Sequence, residues 1–186
     1  QRNPQELFES QNVSQAKMVL GYQFPAYYST EDYYKAVVLN TLVGNGPESL
    51  LFKRIREELS LVYFIGSVYD QNKGSFVIYG GINQKDYHNV QKEVENILLD
   101  VKNMTYENKF LLIAKKAIVS GLVQSLDSGG ALISRLNSLS LFNKEFDIDV
   151  LVDKINKVTK EELSDLVDLI KKDVTFILRN DQIENN

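Results

Sequence analysis

Residues 49–82 read SLLFKRIREELSLVYFIGSVYDQNKGSFVIYGGI. The stretch opens as an amphipathic helix and passes directly into apolar, β-prone residues. LVYFIGSVYD (61–70) and SFVIYGGI (75–82) are strand candidates separated by QNKG. A short connection that contains Asn72-Lys73-Gly74 predicts a β-hairpin. Gly80-Gly81 marks a bulge or a close backbone approach. Upstream, GNGP (44–47) stops one helix and offers a proline suited to the first turn of the next, which is predicted from about Pro47 to Glu58.

Working outward, QAKMVLGYQF (15–24) sets Ala16, Met18, Leu20 and Tyr22 against Lys17, Val19, Gly21 and Gln23. That period of two predicts a half-buried strand, ended by Pro25. The residues before it read as a polar lead-in. Ser29 or Thr30 can cap a helix through Val43, with Tyr34, Val37, Val38 and Leu42 on one stripe. Beyond the hairpin the chain is mostly helical. In 84–103, Val90, Val94, Ile97, Leu98 and Val101 follow the helical template. Thr105 can cap a helix over 105–126, which SLDSGG (125–130) breaks. Further helices are predicted at about 130–142 and 147–157. Thr159-Lys160-Glu161-Glu162 is a capping box opening 159–171. VTFIL (174–178) is the final strand.

This order separates helical blocks from strand blocks. It favours an α+β fold with a mixed, mostly antiparallel sheet covered by helices on one face, over a doubly wound parallel sheet. The 186 residues suffice for one domain with a full core. Hydrophobic residues make up 44% and charged residues 25%, as in soluble globular domains. The net charge of −4, with signs interspersed, gives no footprint for nucleic acid or an anionic membrane. No apolar run approaches the roughly 20 residues that span a bilayer. Cysteine is absent, which excludes disulfides and thiolate metal sites and is compatible with a reducing compartment; a cytoplasmic location is the expectation. The opening QRNPQELFES has neither methionine nor a signal segment, so the chain is expected to be a piece of a longer protein.

Little of the chain suggests self-sufficient chemistry. The one histidine, His88, lies where the first turn of an amphipathic helix is predicted, and HxxEH or HExxH would need two. VGNGPES (43–49) lacks the lysine and spacing of a phosphate loop and follows a helix. The carboxylates Glu57-Glu58, Asp147 with Asp149, and Glu161-Glu162 fall where helix surfaces or caps place solvated charge. No metal site is expected in this chain.

Residues 15–83 resemble the C-terminal half of pitrilysin/insulinase-family zinc metallopeptidases. The matching residues are Gly21-Tyr22, Gly44 and Gly46, Ser49, Leu51-Phe52, Ile55-Arg56-Glu57, and Leu61 with Tyr63. The rest matches by element order. The resemblance implies a metallopeptidase-half, LuxS-like α/β sandwich, with residues 1–186 forming a single non-catalytic half-domain. It implies that HxxEH and zinc lie in an N-terminal half or a partner subunit, and that the two halves close around a peptide. It assigns Arg56 and Tyr63 as auxiliary catalytic and substrate-binding residues. A tyrosine hydroxyl can donate to a carbonyl oxygen as charge develops, and a guanidinium can hold a carbonyl or carboxylate. Read without the family, Arg56 is a surface cation near a helix C-terminus and Tyr63 a half-buried strand aromatic. A non-catalytic subunit of the same fold, paired with an HxxEH-bearing partner, is the alternative. A peptide- or small-molecule-binding domain unrelated to proteolysis is a third reading.

Overall fold

The computed structural model describes residues 3–27, 30–127, 130 and 147–180. Five strands form one sheet: β1 (Gln5–Gln11), β2 (Ala16–Gln23), β3 (Val62–Asp70), β4 (Ser75–Ile82) and β5 (Lys171–Asn180). Their spatial order is β1-β5-β2-β4-β3. β1 runs parallel to β5, and every other pairing is antiparallel. The helices are α1 (Tyr33–Val43), α2 (Tyr87–Lys102), α3 (Asn108–Leu126), α4 (Ile148–Lys157) and α5 (Lys160–Val167). A π-helical turn spans Phe52–Glu58. The α+β class and the mixed, mostly antiparallel sheet expected from the sequence are what the structure has.

The period of two in β2 sorts its side chains as anticipated. Ala16, Met18, Leu20 and Tyr22 are buried, and the alternate residues are exposed or half-buried. Register carries this alternation across the sheet, because directly opposed residues project from the same face. Met18 sits opposite Ile177 on one side and Gly80 on the other, and Leu20 opposite Thr175 and Ile78. Against this face pack Val38, Leu39 and Leu42 of α1, Val90, Val94 and Val101 of α2, and Leu163 and Leu166 of α5. Full burial of such side chains is worth about 1.5–3 kcal/mol each, so this layer is the main source of stability. Among the described residues, the other face carries Val19, Gly21, Val77, Tyr79, Phe64, Val68 and Phe176, and none of these seven is part of the buried core.

Several boundaries differ from the sequence reading. The polar lead-in contains β1, all seven residues of which are exposed. It is an edge strand held by backbone pairing to β5, so no buried alternation announces it. The last strand extends to Lys171–Asn180 because β1 and β2 both pair along it. Thr105 does not cap α3: its hydroxyl bonds Asp100, and the helix begins at Asn108 behind Glu107. Thr30 is likewise diverted, bonding the backbone of Tyr27, and α1 begins behind Asp32. The first turn predicted at 84 is a 3-10 turn, Gln84–Asp86, before α2 proper. The capping box forms as read, with Thr159 and Glu162 each bonding the other's backbone, but α5 stops at Val167. Asp147 caps α4 by accepting from the N–H groups of Asp149 and Val150. The helix expected at about 130–142 lies outside the described residues, apart from Gly130.

Candidate functional site

The site begins where α1 ends. Gly44 accepts a hydrogen bond from the Ser67 N–H at 3.0 Å, and the Ser67 hydroxyl donates to Asn40 Oδ1 at 2.8 Å. These bonds tie the end of α1 to the middle of β3. A Cβ on Gly44 would fall 2.5 Å from Ser67 Oγ and 2.7 Å from Ser67 Cβ, so only glycine permits the approach. The chain then turns through Gly46, whose φ of +122° lies in the region that favours glycine, and re-enters helix at Leu50.

The helix predicted over 47–58 is not a regular α-helix. From Phe52 it widens to π geometry: the Leu59 N–H reaches back five residues to the Arg54 carbonyl at 3.0 Å, and the Leu61 N–H bonds the Ile55 carbonyl at 3.0 Å. Single π turns are rare and are found frequently at functional sites. Ser60 follows with φ of +53°, a left-handed conformation uncommon for serine. β3 then opens on a bulge: Val62 opposes Ile82 and Phe64 opposes Gly81, leaving Tyr63 as the extra residue. The sequence allowed a bulge or a close backbone approach at Gly80-Gly81: the extra residue lies on the facing strand, and the close approach is what the glycines permit, since a Cβ on Gly80 would fall 2.9 Å from the Phe64 carbonyl oxygen. A bulge re-aims side chains. Here two successive rings, Tyr63 at 63% exposure and Phe64 at 43%, reach solvent.

Three departures from regular backbone thus fall between Phe52 and Phe64, and they bring the two candidate residues together. Arg56 Nε donates to the Tyr63 carbonyl oxygen at 2.9 Å. The Arg56 guanidinium also lies 4.6 Å from the centre of the Phe52 ring, a cation–π contact worth about 0.5–1 kcal/mol at an exposed site. Among the described residues no carboxylate pairs with Arg56. Arg54, two residues earlier, is the opposite case. It pairs with Glu93 at 2.9 Å and with Asp100 at 2.7 Å, pinning the π turn to α2. Lys53 is taken by Glu48 and Glu57. Of the three cations on this turn, Arg56 alone has no carboxylate partner among the described residues, and its orientation is set in advance by Phe52 and Tyr63.

What the arrangement can do is polar recognition. Arg56 offers planar donors to a carboxylate or carbonyl, and Tyr63 offers a phenolic O–H. It is no metal centre. His88 is exposed in the first turn of α2, with its ring 3.8 Å from that of Tyr87. Among the described residues no three His, Asp or Glu side chains gather as a metal would require. The described residues therefore do not assemble the imidazole and carboxylate donors that zinc favours. No described helix is long and apolar enough to cross a membrane.

Sequence reasoning singled out Arg56 and Tyr63 as candidates through motif resemblance and missed the backbone features around them. Neither the π turn nor the bulge has a compositional mark, and the residue spacing does not distinguish Arg56 from Arg54.

Comparison with known proteins gives the same family. Residues 2–118 match the family described as peptidase M16 inactive domain. The chain is 26% identical over 176 residues to YmfF of Bacillus subtilis, described as a probable inactive metalloprotease, covering 95% of this chain and 41% of that one. It is 26% identical over 166 residues to YmxG of the same organism, described as an uncharacterized zinc protease, covering 87% and 40%. The chain therefore spans about two-fifths of the length of these relatives. In fold it is similar to a conserved protein of Enterococcus faecalis, with a TM-score of 0.93 at 24% identity over 97% of this chain and 43% of that one. It is also similar to a peptidase M16 inactive domain from Pseudomonas fluorescens, with a TM-score of 0.77 at 17% identity over 93% and 43%. On the match over residues 2–118, this chain belongs to the peptidase M16 inactive-domain family.

Proposed function

We propose that residues 1–186 act as a single, zinc-free half of a peptidase, closing a peptide-binding chamber against a second, HxxEH-bearing half or partner subunit. Arg56 and Tyr63 serve the bound peptide. The observation that carries this reading is the Arg56–Tyr63 pair itself, an arginine without a carboxylate partner among the described residues, fixed at 2.9 Å to the carbonyl of an exposed, bulged tyrosine. Backbone strain concentrated on a few residues is characteristic of sites that bind or react. Arg56 orients a peptide carbonyl or carboxylate. The Tyr63 hydroxyl donates to the scissile carbonyl oxygen as negative charge develops. Zinc belongs to the other half in this reading, because one histidine and no cysteine leave mainly carboxylates here. The open sheet face forms the chamber wall on this side, and the absence of cysteine fits a cytoplasmic setting.

The test is steady-state kinetics of the complete two-half protein on peptides. Tyr63→Phe removes one donor and lowers kcat by roughly 10²–10³-fold, the usual cost of losing such a donor. Arg56→Ala raises KM and lowers kcat/KM. Unchanged turnover in both variants would reduce the pair to packing. A second reading is favoured by one observation: the relative YmfF is described as inactive. In that reading this chain belongs to a non-catalytic subunit that pairs with an active one, and the pair binds peptide without contributing to turnover.

A further inference from the structure

Two aromatic rings beside Tyr63 lie down on the sheet. On the open face, Phe64 of β3 opposes Gly81 of β4, and Gly66 of β3 opposes Tyr79 of β4. Each ring occupies the space over the opposed glycine. A Cβ added to Gly81 would fall 2.5 Å from Phe64 Cε1, and one added to Gly66 would fall 3.2 Å from the Tyr79 hydroxyl and 3.3 Å from its Cζ. The ring centres are 6.4 Å apart, with planes inclined at 53°. Covering a glycine with a cross-strand ring stabilises a sheet by itself. That role accounts for one side of each ring. The other side faces solvent, with Phe64 43% and Tyr79 40% exposed.

We infer that Phe64 and Tyr79 form a specificity subsite for one aromatic or large aliphatic side chain of an extended peptide bound at the Arg56–Tyr63 site. The inference rests on the proposed peptide-binding role. Continuity supports this occupant: the bulge between Val62 and Phe64 breaks the strand's alternation, and the adjacent rings of Tyr63 and Phe64 are both left exposed. Size supports it as well. Two tilted rings whose centres are 6.4 Å apart make a shallow V that accepts a single side chain, far less than a folded partner needs. Charge narrows the choice further. A basic side chain could stack on these rings, but Lys17, opposite Gly81 on the same face, and Arg56, bonded at Tyr63, both repel it.

The experiment uses the complete two-half protein and pairs of peptides that differ only by Phe or Gly at one position, chosen from the cleavage pattern of a randomised peptide library. The readout is the ratio of kcat/KM for the Phe peptide to that for the Gly peptide. Aromatic pairs contribute enough beyond simple burial for about a 3- to 10-fold effect. Phe64→Ala and Tyr79→Ala each lower the ratio by that factor, whereas Tyr79→Phe, which keeps the ring over Gly66, preserves it. A ratio unchanged in both alanine variants overturns the inference. So does an equal loss on both peptides, which would mean the rings only support the sheet. If the wild-type protein cleaves no peptide, the peptidase reading fails separately. The subsite is then read by fluorescence anisotropy of labelled Phe and Gly peptides on the same proteins, where a preference for Phe that Phe64→Ala abolishes sustains it and equal affinities overturn it.

Discussion

Gly44→Ala tests whether the site is positioned by the close approach of α1 to β3. The new methyl would fall 2.5 Å from Ser67 Oγ, 2.7 Å from Ser67 Cβ and 2.7 Å from Leu51 Cδ1. Leu51 can move its terminal methyl group. Ser67 cannot withdraw its Cβ, because β3 is laddered to β4 on either side of it. The end of α1 must therefore back away. That movement strains or breaks the Ser67 N–H bond to the Gly44 carbonyl and the hydroxyl bond to Asn40. Overpacking a tight contact costs about 1–3 kcal/mol, and each weakened hydrogen bond adds about 0.5–1.5 kcal/mol. The sum is about 2–6 kcal/mol. For a chain of this size that lowers Tm by roughly 4–24 °C. Gly46→Ala is the matched control. Its Cβ would meet nothing within 4 Å, and the cost is confined to a φ of +122°, about 1–3 kcal/mol. Thermal and urea unfolding of both variants decide the matter. A Gly44→Ala protein within 2 °C of wild type, or one more stable than Gly46→Ala, would refute the argument.

The buried tyrosines give a second prediction. Tyr22 and Tyr106 hydroxyls are buried without a hydrogen-bond partner among the described residues, whereas Tyr69 donates to the Ala26 carbonyl at 2.8 Å. Tyr22→Phe is therefore neutral or stabilising in urea unfolding, and Tyr69→Phe costs about 0.5–1.5 kcal/mol; the reverse order would show the hydroxyl assignments to be wrong. Burial is the main cause holding the Tyr22 and Tyr69 hydroxyls well above the ordinary phenol range, and it pushes Tyr106 up to about 12. The unfolded chain then loses phenol protons first. The stabilisation is complete below about pH 10 and declines as pH rises towards the folded-state values. Alkaline unfolding that sets in near pH 10, and is reduced in Tyr22→Phe, is the expected result; a flat profile to pH 12 would contradict it. For zinc, the chain purified alone after zinc exposure should contain far less than one equivalent by elemental analysis; a stoichiometric ion lost with chelator would overturn the assignment of metal binding to the other half.

What could be read from the residues were the features that local physics decides. Alternation in 15–24 placed a strand because neighbouring side chains on a strand face opposite ways. Thr159 and Glu162 marked a helix start because both bonds of the capping box close within four residues. Asn72-Lys73-Gly74 marked the hairpin, and Gly74 adopts the positive φ of +61° that the turn requires. Arg56 and Tyr63 were legible only as a motif, without a reason for their pairing.

That reason is tertiary. β1 has no buried face, so its place beside β5 depends on backbone partners at the far end of the chain. Thr105 offered a cap by spacing, but its hydroxyl is turned to the end of α2 and donates to Asp100 Oδ1 at 2.9 Å. The π turn and the bulge at Tyr63 cost free energy locally, and neither follows from the propensities of the residues involved. They persist because Arg54 is held by Glu93 and Asp100, because Gly44 is locked to Ser67, and because Gly81 leaves room on the facing strand. Residue identity made the guanidinium and the phenol available. Only packing decided that Arg56, and not Arg54, would be left unpaired at the tyrosine.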